Sequence, residues 1–283
     1  MELLILVGPP GSGKSTLASS LEDFVRISQD DQGKNHRAIF LAALEENKKI
    51  VVDRMNFSKA QRHFFIEEAK KKGYFTEILV LHQSRDECLR RCLLRKDHPT
   101  IASQEAAESA LNTFFSKYER PLKGEVDEIN FKYPEVHKTG IVCDIDGTAA
   151  NIDHRLHHVR GEGRKNWKAF FDTVERDLPN LWCLELVNSM KDRKYPVYMA
   201  SGRPDSLRQP TEAWLASNGF SYDNLFMRCR LDHRPDYIVK EIILDFEILT
   251  RIVPLFFIDD RSQVVNMWRD RGFVCLQCND GNF

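Results

Sequence analysis

The chain has 283 residues, of which 42% are hydrophobic and 29% are charged. This length and composition fit two globular domains, since each half is long enough to bury a core of its own. The formal net charge is −1, which excludes a polycation, so any contact with nucleic acid has to use local basic patches. No apolar run reaches the length of a membrane span, and the apolar start of the chain lacks the basic residues of a signal peptide.

Strand-like apolar runs alternate with helix-like stretches along the chain. Several runs are apolar at successive positions, the pattern of parallel strands covered by helices on both faces. The alternation predicts an α/β fold with two domains, each a mostly parallel sheet flanked by helices. The predicted strands are 3–7, 24–27, 50–52, 76–81, 140–143, 197–200 and 255–258. The predicted helices are 14–21, 60–72, 86–94, 104–115, 181–192, 211–217, 239–249 and 262–271.

The boundary between the two domains is placed by composition. Residues 121–138 are polar and contain two prolines and a glycine, which makes this stretch the weakest candidate for a packed core. A new apolar run follows it directly. The sequence therefore predicts domains at residues 1–137 and 138–283.

Seven cysteines are present, an odd number that favours free thiols in a reducing cytoplasm over disulfides. Cys275 and Cys278 have C-x-x-C spacing, but no second pair accompanies them. A metal or redox role and an ordinary packing role both remain open for this pair.

A glycine-rich turn follows the first predicted strand. Residues 8–15 read GPPGSGKS and match the phosphate-loop pattern G-x-x-x-x-G-K-[ST] between a strand and a helix. Such glycines let backbone N–H groups face phosphate oxygens, while Lys14 reaches the β- and γ-phosphates and Ser15 holds Mg²⁺. The predicted nucleotide contacts from this turn are Gly8, Gly11, Ser12, Gly13, Lys14, Ser15 and Thr16.

Polar residues at the ends of the next two strands are candidates for the acceptor side of this site. Asp30 can take the proton of an acceptor hydroxyl as general base, although a helix-capping or magnesium-binding role is the alternative. Asp53 and Asn56 either contact the acceptor and the metal shell or form a turn. Arg91 and Arg95 share a helix face and either clamp the triphosphate or lie on a solvated surface.

A pair of aspartates follows the strand predicted at 140–143. Asp144 and Asp146 are followed by a Gly-Thr turn. The segment resembles the D-x-D-G-T motif of the haloacid dehalogenase superfamily, in which the first aspartate attacks phosphorus and the second protonates the leaving oxygen. A carboxylate nucleophile needs Mg²⁺ to offset repulsion by an anionic phosphate, and the second carboxyl group then serves as acid and later as base.

Three further elements that the superfamily requires appear in order. The resemblance implies that Ser201 binds the transferring phosphoryl group, that Lys240 neutralises the phosphoaspartate, and that Asp259 and Asp260 bind Mg²⁺ together with the first aspartate pair. Between the first and second elements, residues 153–160 and 167–174 resemble a small cap. Its histidines form either a metal cluster or, as we favour, cap surface and substrate contacts.

Four arginines follow or lie near the later strand ends, and they are candidates for binding the phosphodiester backbone of a polymeric substrate. They are Arg203, Arg228, Arg230 and Arg234.

The combination of a phosphate-loop kinase followed by a D-x-D-G-T phosphatase resembles the phage-type polynucleotide 5′-kinase/3′-phosphatases. The resemblance implies ATP and Mg²⁺ as cofactors, RNA or DNA ends as substrates, a homo-oligomer, and a place in the cytoplasm of a cell or of a phage-infected host. It implies Asp30 as base and Arg95 on the phosphates in the kinase. For the phosphatase it implies Asp144 as nucleophile, Asp146 as acid and base, and Ser201, Arg203, Lys240, Asp259 and Asp260 in the site.

The acceptor side of the kinase departs from this family. Gln29 stands where the family has an arginine before the base, and Gly33 stands where a second arginine is expected. Met55 interrupts the family's Asp-Thr-Asn step. Two other functions are compatible with the motifs: a fused small-molecule kinase and phosphatase, and an ATP-gated module that tethers nucleic acid.

Overall fold

The computed structural model describes residues 1–94, 103–161 and 165–281. The chain divides into two compact units, Met1–Pro134 and Glu135–Phe283. Each unit is built on a sheet of parallel strands flanked by helices, so the predicted α/β architecture is confirmed. None of the helices in the described ranges has the length and apolar character needed to cross a membrane.

The first unit contains a five-stranded sheet. Its strands are β1 (Glu2–Val7), β2 (Phe24–Ser28), β3 (Lys49–Asp53), β4 (Phe75–Leu81) and β5 (Glu128–Lys132), in the order β2-β3-β1-β4-β5. Its helices are α1 (Lys14–Ser20), α2 (Gln29–Gln32), α3 (His36–Glu45), α4 (Lys59–Lys71), α5 (Arg85–Leu93) and α6 (Gln104–Lys117). Strand β1 is central and parallel to both neighbours, which explains why it is apolar at successive positions.

Serine residues fix where α4, α5 and α6 begin. The hydroxyl oxygen of Ser58 accepts from Gln61 N, that of Ser84 from Glu87 N, and that of Ser103 from Ala106 N. Each bond satisfies one of the N–H groups that the first helical turn leaves without a partner.

The second unit contains another five-stranded parallel sheet. Its strands are β6 (Thr139–Cys143), β9 (Val197–Pro204), β10 (Asn224–Arg228), β11 (Val253–Asp259) and β12 (Cys275–Gln277), in the order β10-β9-β6-β11-β12. A separate antiparallel pair is formed by β7 (Ala150–Asn151) and β8 (Leu178–Pro179). The helices are α7 (Trp167–Phe171), α8 (Leu181–Asp192), α9 (Arg208–Ser217), α10 (Asp236–Ile243) and α11 (Ser262–Asp270).

Both faces of the second sheet are covered by apolar residues. Ile141 belongs to one buried cluster and its neighbour Val142 to another, because successive side chains of a strand point to opposite faces. The segment between β6 and β9 carries the short pair β7–β8, helix α7 and a 3₁₀ helix at Asp153–His158. This insertion occupies the position at which the sequence predicts a small cap.

Several elements escaped the sequence analysis. Strand β5 lies inside the stretch 121–138, which the composition marked as poor in core, and it pairs in parallel with β4. Its residues are half-buried or exposed in alternation, as befits an edge strand. Strands β10 and β12 and helix α3 were also missed, and the helix predicted at 239–249 is α10 followed by a π-helical turn at Leu244–Ile248.

A buried ion pair ties α4 to the segment that leads into β5. Arg62 is wholly buried, and its Nε donates to Glu125 Oε1 at 2.6 Å. The remaining guanidinium nitrogens donate to Glu125 Oε2 at 3.2 Å, to Asn56 O at 3.0 Å and to Glu119 O at 3.1 Å. One side chain therefore holds three segments of the first unit together.

We expect Arg62→Ala to lower the free energy of unfolding of the first unit by about 3–5 kcal/mol, because the buried carboxylate of Glu125 loses its counter-ion. Lys71→Ala is the matched control on the same helix, since it removes only an exposed pair with Glu68 and should leave stability near the wild-type value. Urea denaturation, monitored by circular dichroism, measures the free energy of unfolding of both variants. Equal decreases in the free energy of unfolding of the two variants would contradict the stabilising role of the buried Arg62–Glu125 pair.

Candidate active sites

The phosphate loop connects β1 to α1. Gly11 and Gly13 adopt the left-handed conformation, with φ of 81° and 98°. A Cβ on Gly11 would lie 2.4 Å from Cys88 O of α5, so the loop packs too closely there for any side chain. The buried Nζ of Lys14 donates to Pro9 O at 2.8 Å. The loop therefore curls around a positive charge, the arrangement that binds a phosphate anion.

Predicted kinase residues meet at one cavity of about 350 Å³. Lys14, Ser15 and Asp30 all line it, so the structure brings the phosphate loop and the candidate general base together. Thr16 is exposed and does not belong to this lining. Other lining residues are Pro10, Gly11, Gly13, Gln29, Asp53, Arg54, Met55, Asn56, Gln61 and Ala110.

Arg26 pairs with two aspartates that lie near Asp30. Its guanidinium lies 3.1 Å from Asp31 Oδ2 and donates to Asp53 Oδ2 at 2.6 Å. The capping role that the sequence left open belongs to Ser28, whose hydroxyl accepts from Asp31 N at 3.3 Å. Asp53 and Asp31 therefore stabilise the ends of β2 and β3.

Asn56 supports the phosphate loop from beneath. It is buried in a left-handed conformation (φ 46°), and its Nδ2 donates to Leu6 O at 2.8 Å. Gly8 N donates to Met55 O at 3.3 Å. The turn after β3 thus fixes the end of β1, which favours the turn-forming interpretation of Asn56.

Arg91 lies against the phosphate loop, and Arg54 lines the cavity. Arg91 Nη1 donates to Gly11 O at 3.5 Å and its Nε to Glu87 Oε1 at 2.7 Å, so the guanidinium reaches the phosphate loop. Arg95 lies outside the described residues, and its predicted role stays a prediction. Arg54, which begins the Arg54-Met55-Asn56 departure from the Asp-Thr-Asn step, lines the cavity. Burial and the nearby Arg37 lower the pKa of Arg54, while Asp30 opposes this shift.

In the second unit, three carboxylates converge at the ends of β6 and β11. Asp144, Asp259 and Asp260 are buried and offer ligand oxygens that all lie within 4.8 Å of one another. Lys240 of α10 donates to Asp144 Oδ1 at 2.7 Å and to Asp259 Oδ2 at 2.8 Å. Three buried carboxylates facing one ammonium leave a negative excess. The oxygen-rich set therefore fits a hard divalent cation such as Mg²⁺.

Proton affinities in this cluster follow from burial. Burial raises the pKa of Asp144 well above its usual range, while Lys240 opposes the shift. Burial and the neighbouring Asp259 raise the pKa of Asp260 to about 7. Burial lowers the pKa of Lys240, but attraction by Asp144 and the other carboxylates outweighs it and leaves that pKa raised. The nucleophile candidate thus keeps a permanent cation beside it.

Two glycines make room for Asp260. A Cβ on Gly147 would lie 2.2 Å from Asp260 Oδ2, and a Cβ on Gly281 would lie equally close. Gly147 also has a left-handed φ of 88°. Asp260 Oδ1 is buried without a hydrogen-bond partner in the described structure. The glycine of the D-x-D-G-T motif is therefore required by packing, and the orphaned oxygen marks where a cation would be held.

Asp146 lies outside this carboxylate cluster. Arg155 and Arg203 both donate to its Oδ1, Arg203 at 2.6 Å. Burial by itself would raise the pKa of Asp146, but Arg203 and Arg155 outweigh it and hold that pKa well below its usual range. The structure thus does not place the Asp146 carboxylate among the candidate metal ligands, and it keeps the group ionised.

A second carboxylate completes the arginine network. Asp177, just before β8, is wholly buried at its side chain and accepts from Arg155 Nε at 2.7 Å and from Arg203 Nη2 at 2.9 Å. His154 Nε2 lies 2.9 Å from the same carboxylate. Sequence reasoning missed Arg155 and Asp177. Arg155 lay in the predicted cap, and no motif signalled that its side chain turns inward.

Ser201 and its neighbours Gly202 and Arg203 lie in the last part of β9. Ser201 is wholly buried, and its hydroxyl accepts from Arg203 N at 3.2 Å. A Cβ on Gly202 would lie 2.1 Å from Asp236 Oδ1. Asp236 also contacts Arg228 and lies 3.6 Å from Lys240 Nζ. Asp236 is a further site residue that sequence reasoning missed; the predicted contact of Ser201 with a phosphoryl group stays a prediction.

A cleft of about 620 Å³ leads to these groups. Asp144 and Asp146 lie in its wall, together with Arg228, Arg230 and Arg234. Arg203, which the sequence grouped with these arginines, is instead buried beneath Asp146. Further lining comes from in and around α7, from the segment after β10 and from the start of α11, and it includes Lys165, Trp167, Lys168, Phe170, His233 and Arg261.

The histidines of the predicted cap and the Cys275/Cys278 pair form no metal-binding group among the described residues. In the described ranges the aspartate cluster is the one group of His, Cys, Asp and Glu side chains close enough to hold an ion. His154 pairs with Asp177 and therefore belongs to the arginine network. Cys278 Sγ lies 3.5 Å from Thr148 Oγ1, so it packs against the D-x-D-G-T turn.

Comparison with known families agrees with this geometry. The family model of the polynucleotide kinase PNKP phosphatase domain matches residues 138–283, just over half of the chain. The chain belongs to this family. The resemblance inferred from the motifs is thereby confirmed at the level of the family.

Similar proteins extend the likeness to the first unit. A protein of Autographa californica nuclear polyhedrosis virus named as a bifunctional polynucleotide kinase/RNA ligase is 25% identical over 95% of this chain and 41% of its own length. The bifunctional polynucleotide phosphatase/kinase of Schizosaccharomyces pombe is 30% identical over 46% of this chain and 34% of its own length. The chain therefore spans less than half the length of these curated relatives. A solved Pnkp1/Rnl/Hen1 complex contains a chain that is 28% identical, with a TM-score of 0.45, over 100% of this chain and 97% of that one.

The raised pKa of Asp260 makes cation binding depend on pH. Below its pKa of about 7, a Mg²⁺ ion has to displace a proton, so we expect roughly tenfold weaker Mg²⁺ binding at pH 6 than at pH 8. Isothermal titration calorimetry in buffers of different ionisation enthalpy measures the affinity and the released proton. Asp260→Asn should remove the pH dependence along with most of the affinity. Mg²⁺ binding that is equally tight at pH 6 and pH 8 would contradict the role of Asp260 as a metal ligand with a raised pKa.

Proposed function

We propose that the chain repairs nucleic acid ends with two separate phosphoryl-transfer sites. The domain at residues 1–137 moves the γ-phosphate of ATP to a 5′-hydroxyl, and the domain at 138–283 hydrolyses a 3′-phosphate. The observation that carries the proposal is the buried cluster of Asp144, Asp259 and Asp260 around Lys240, at the base of a cleft with arginines in its wall. The family match and the polynucleotide kinase relatives support the choice of substrate.

In the kinase site, residues around the cavity have separate roles in the transfer. The phosphate loop holds the triphosphate, with Lys14 on the β- and γ-phosphates and Ser15 as the residue that would hold Mg²⁺. Asp30 accepts the proton of the 5′-hydroxyl. The hydroxyl oxygen attacks the γ-phosphorus, and ADP leaves. Arg91 lies against the loop, where it stabilises the negative charge of the transferring group.

In the phosphatase site, an Asp144 oxygen attacks the 3′-phosphate and forms an aspartyl phosphate while the 3′-oxygen leaves. Lys240 offsets the charge beside the nucleophile. Asp144, Asp259 and Asp260 would hold Mg²⁺, which supplies the positive charge that lets a carboxylate approach an anionic ester.

Asp146 is the general acid in the first half of the reaction and the general base in the second. It gives a proton to the leaving 3′-oxygen and later takes one from the water that attacks the aspartyl phosphate. Its arginine partners favour the ionised form, which suits the second step. For the first step, the negative charge of the bound phosphate raises its proton affinity, as a like charge does for any carboxylate.

An oligonucleotide with a 5′-hydroxyl and a 3′-phosphate tests both sites at once. We expect Asp30→Ala to lose 5′ labelling from γ-labelled ATP while 3′-phosphate release continues, and Asp144→Ala to show the reverse, each loss exceeding about 100-fold. Asp31→Ala and Asp205→Ala are matched controls, since each removes an exposed aspartate paired with an arginine.

The same assay separates the alternatives. A fused pair of metabolite enzymes would leave both ends of the oligonucleotide unchanged and would not bind it in a salt-dependent way. An ATP-gated binding module would bind the oligonucleotide but modify neither end. Loss of both activities in either aspartate variant would contradict the assignment of one activity to each domain.

A further inference from the structure

We propose that Asn56 and Gln61 bind the 2′-hydroxyl of the nucleotide that carries the 5′-hydroxyl, and that the kinase therefore prefers a ribonucleotide at the 5′ end. This inference rests on the proposed function of the first domain and names its acceptor class. The phosphate-loop motif leaves that class open, because it describes only the site of the phosphate donor.

The first support is a pair of buried amide oxygens in residues that line the kinase cavity. Asn56 and Gln61 both belong to its wall. Asn56 Oδ1 and Gln61 Oε1 are buried, and neither has a hydrogen-bond partner among the residues that the structure describes. The large majority of buried polar side-chain atoms in folded proteins have a partner. Two such oxygens at one cavity therefore indicate a ligand that donates hydrogen bonds.

The second support is that local structure does not use these oxygens. The Asn56 amide is oriented by its Nδ2, which donates to Leu6 O at 2.8 Å and to Val52 O at 3.4 Å. Gln61 is the third residue of α4, a position from which a glutamine oxygen often accepts from the N–H of the capping residue. Here the Ser58 hydroxyl accepts from Gln61 N at 3.3 Å, but Gln61 Oε1 does not accept in return.

The third support is that the two residues are held in one frame. Arg62, which follows Gln61, is wholly buried, and its Nη1 donates to Asn56 O at 3.0 Å. Glu125 holds the other side of the same guanidinium through two hydrogen bonds. The first turn of α4 is therefore fixed against the turn that carries Asn56. A hydroxyl that binds there meets a preformed site, so little ordering of the protein opposes binding.

The chemistry of a 5′-terminal nucleotide identifies the donor. Its 5′-hydroxyl gives a proton to Asp30, and its 3′-oxygen is esterified and cannot donate. The sugar of DNA then has no donor left, whereas ribose has the 2′-hydroxyl, the group by which proteins distinguish RNA from DNA. The hydroxyl hydrogen can be shared by two acceptors in a three-centre bond. Base N–H groups also donate, but their number and position change from base to base.

Phosphorylation of DNA oligonucleotides that differ only in the 5′-terminal sugar tests the proposal. That sugar is ribose, 2′-deoxyribose or 2′-fluoro-2′-deoxyribose, each carried with all four bases. The fluoro sugar keeps the pucker of ribose but has no donor. We expect the kcat/KM of the wild-type enzyme to be about tenfold higher for ribose than for either other sugar, whatever the base, because those sugars leave the buried oxygens unpaired.

Gln61→Ala removes one of the two oxygens. It should reduce the preference for ribose to about threefold or less, through a loss of kcat/KM on the ribose end. Gln61→Glu keeps an oxygen acceptor and should keep the preference. Gln104→Ala is the matched control and should also keep it, because Gln104 is exposed at the start of α6 and is not among the described residues that line the cavity.

Equal wild-type kcat/KM values for ribose and deoxyribose ends would overturn the proposal, even if Gln61→Ala failed to fold. A preference that follows the base, or a fluoro sugar that is used as well as ribose, would overturn the reading of the 2′-hydroxyl. A preference for ribose that Gln61→Ala leaves intact would overturn the assignment to this residue.

Two further outcomes have a different meaning. If Gln61→Ala raised the Mg²⁺ concentration required for all three sugars equally, the Gln61 oxygen would be a metal ligand, and the proposal would be overturned. A wild-type enzyme that phosphorylates none of the oligonucleotides would overturn the proposed function of the first domain, and the sugar contact with it.

Discussion

Three buried carboxylates sharing one ammonium ion are the constraint on which the second unit depends. Taking Asp144, Asp259 and Asp260 out of water is costly unless opposite charge compensates them. Lys240 supplies part of that charge, which ties α10 to the ends of β6 and β11. Gly147 and Gly281 lie against Asp260 and leave room for it, because a side chain at either position would collide with its carboxylate. A divalent cation would complete the balance.

Asp144 and Asp146 stand one residue apart in sequence and lie in opposite electrostatic environments. Asp144 joins a cluster of like charges, where burial raises its pKa. Asp146 is held by Arg155 and Arg203, which lower its pKa. For Asp144 to act as nucleophile and Asp146 as acid, this order has to reverse: a Mg²⁺ ion held by the carboxylate cluster would lower the pKa of Asp144, and a bound phosphate would raise that of Asp146. The two arginines are balanced by the two carboxylates of Asp146 and Asp177, so this second charged layer is internally paired.

The first unit uses arginine in a comparable way. Arg26 pairs with Asp31 and Asp53, while Asp30 and Asp53 line the cavity together with Lys14. Gln29 and Arg54 also line this cavity.

The sequence by itself determined the α/β class, both phosphoryl-transfer motifs and the family, because these reside in local patterns: apolar runs, a glycine-rich turn, and aspartates at strand ends. Only the tertiary structure decided which charges meet. Arg155 and Asp177 are separated along the chain and carry no motif, yet they pair with each other, and Arg155 joins Arg203 in lowering the pKa of Asp146. Edge strand β5 was missed for a related reason, since its half-polar sequence becomes a strand through hydrogen bonds to β4. Long-range pairing depends on what the fold brings into contact, and no local pattern records it.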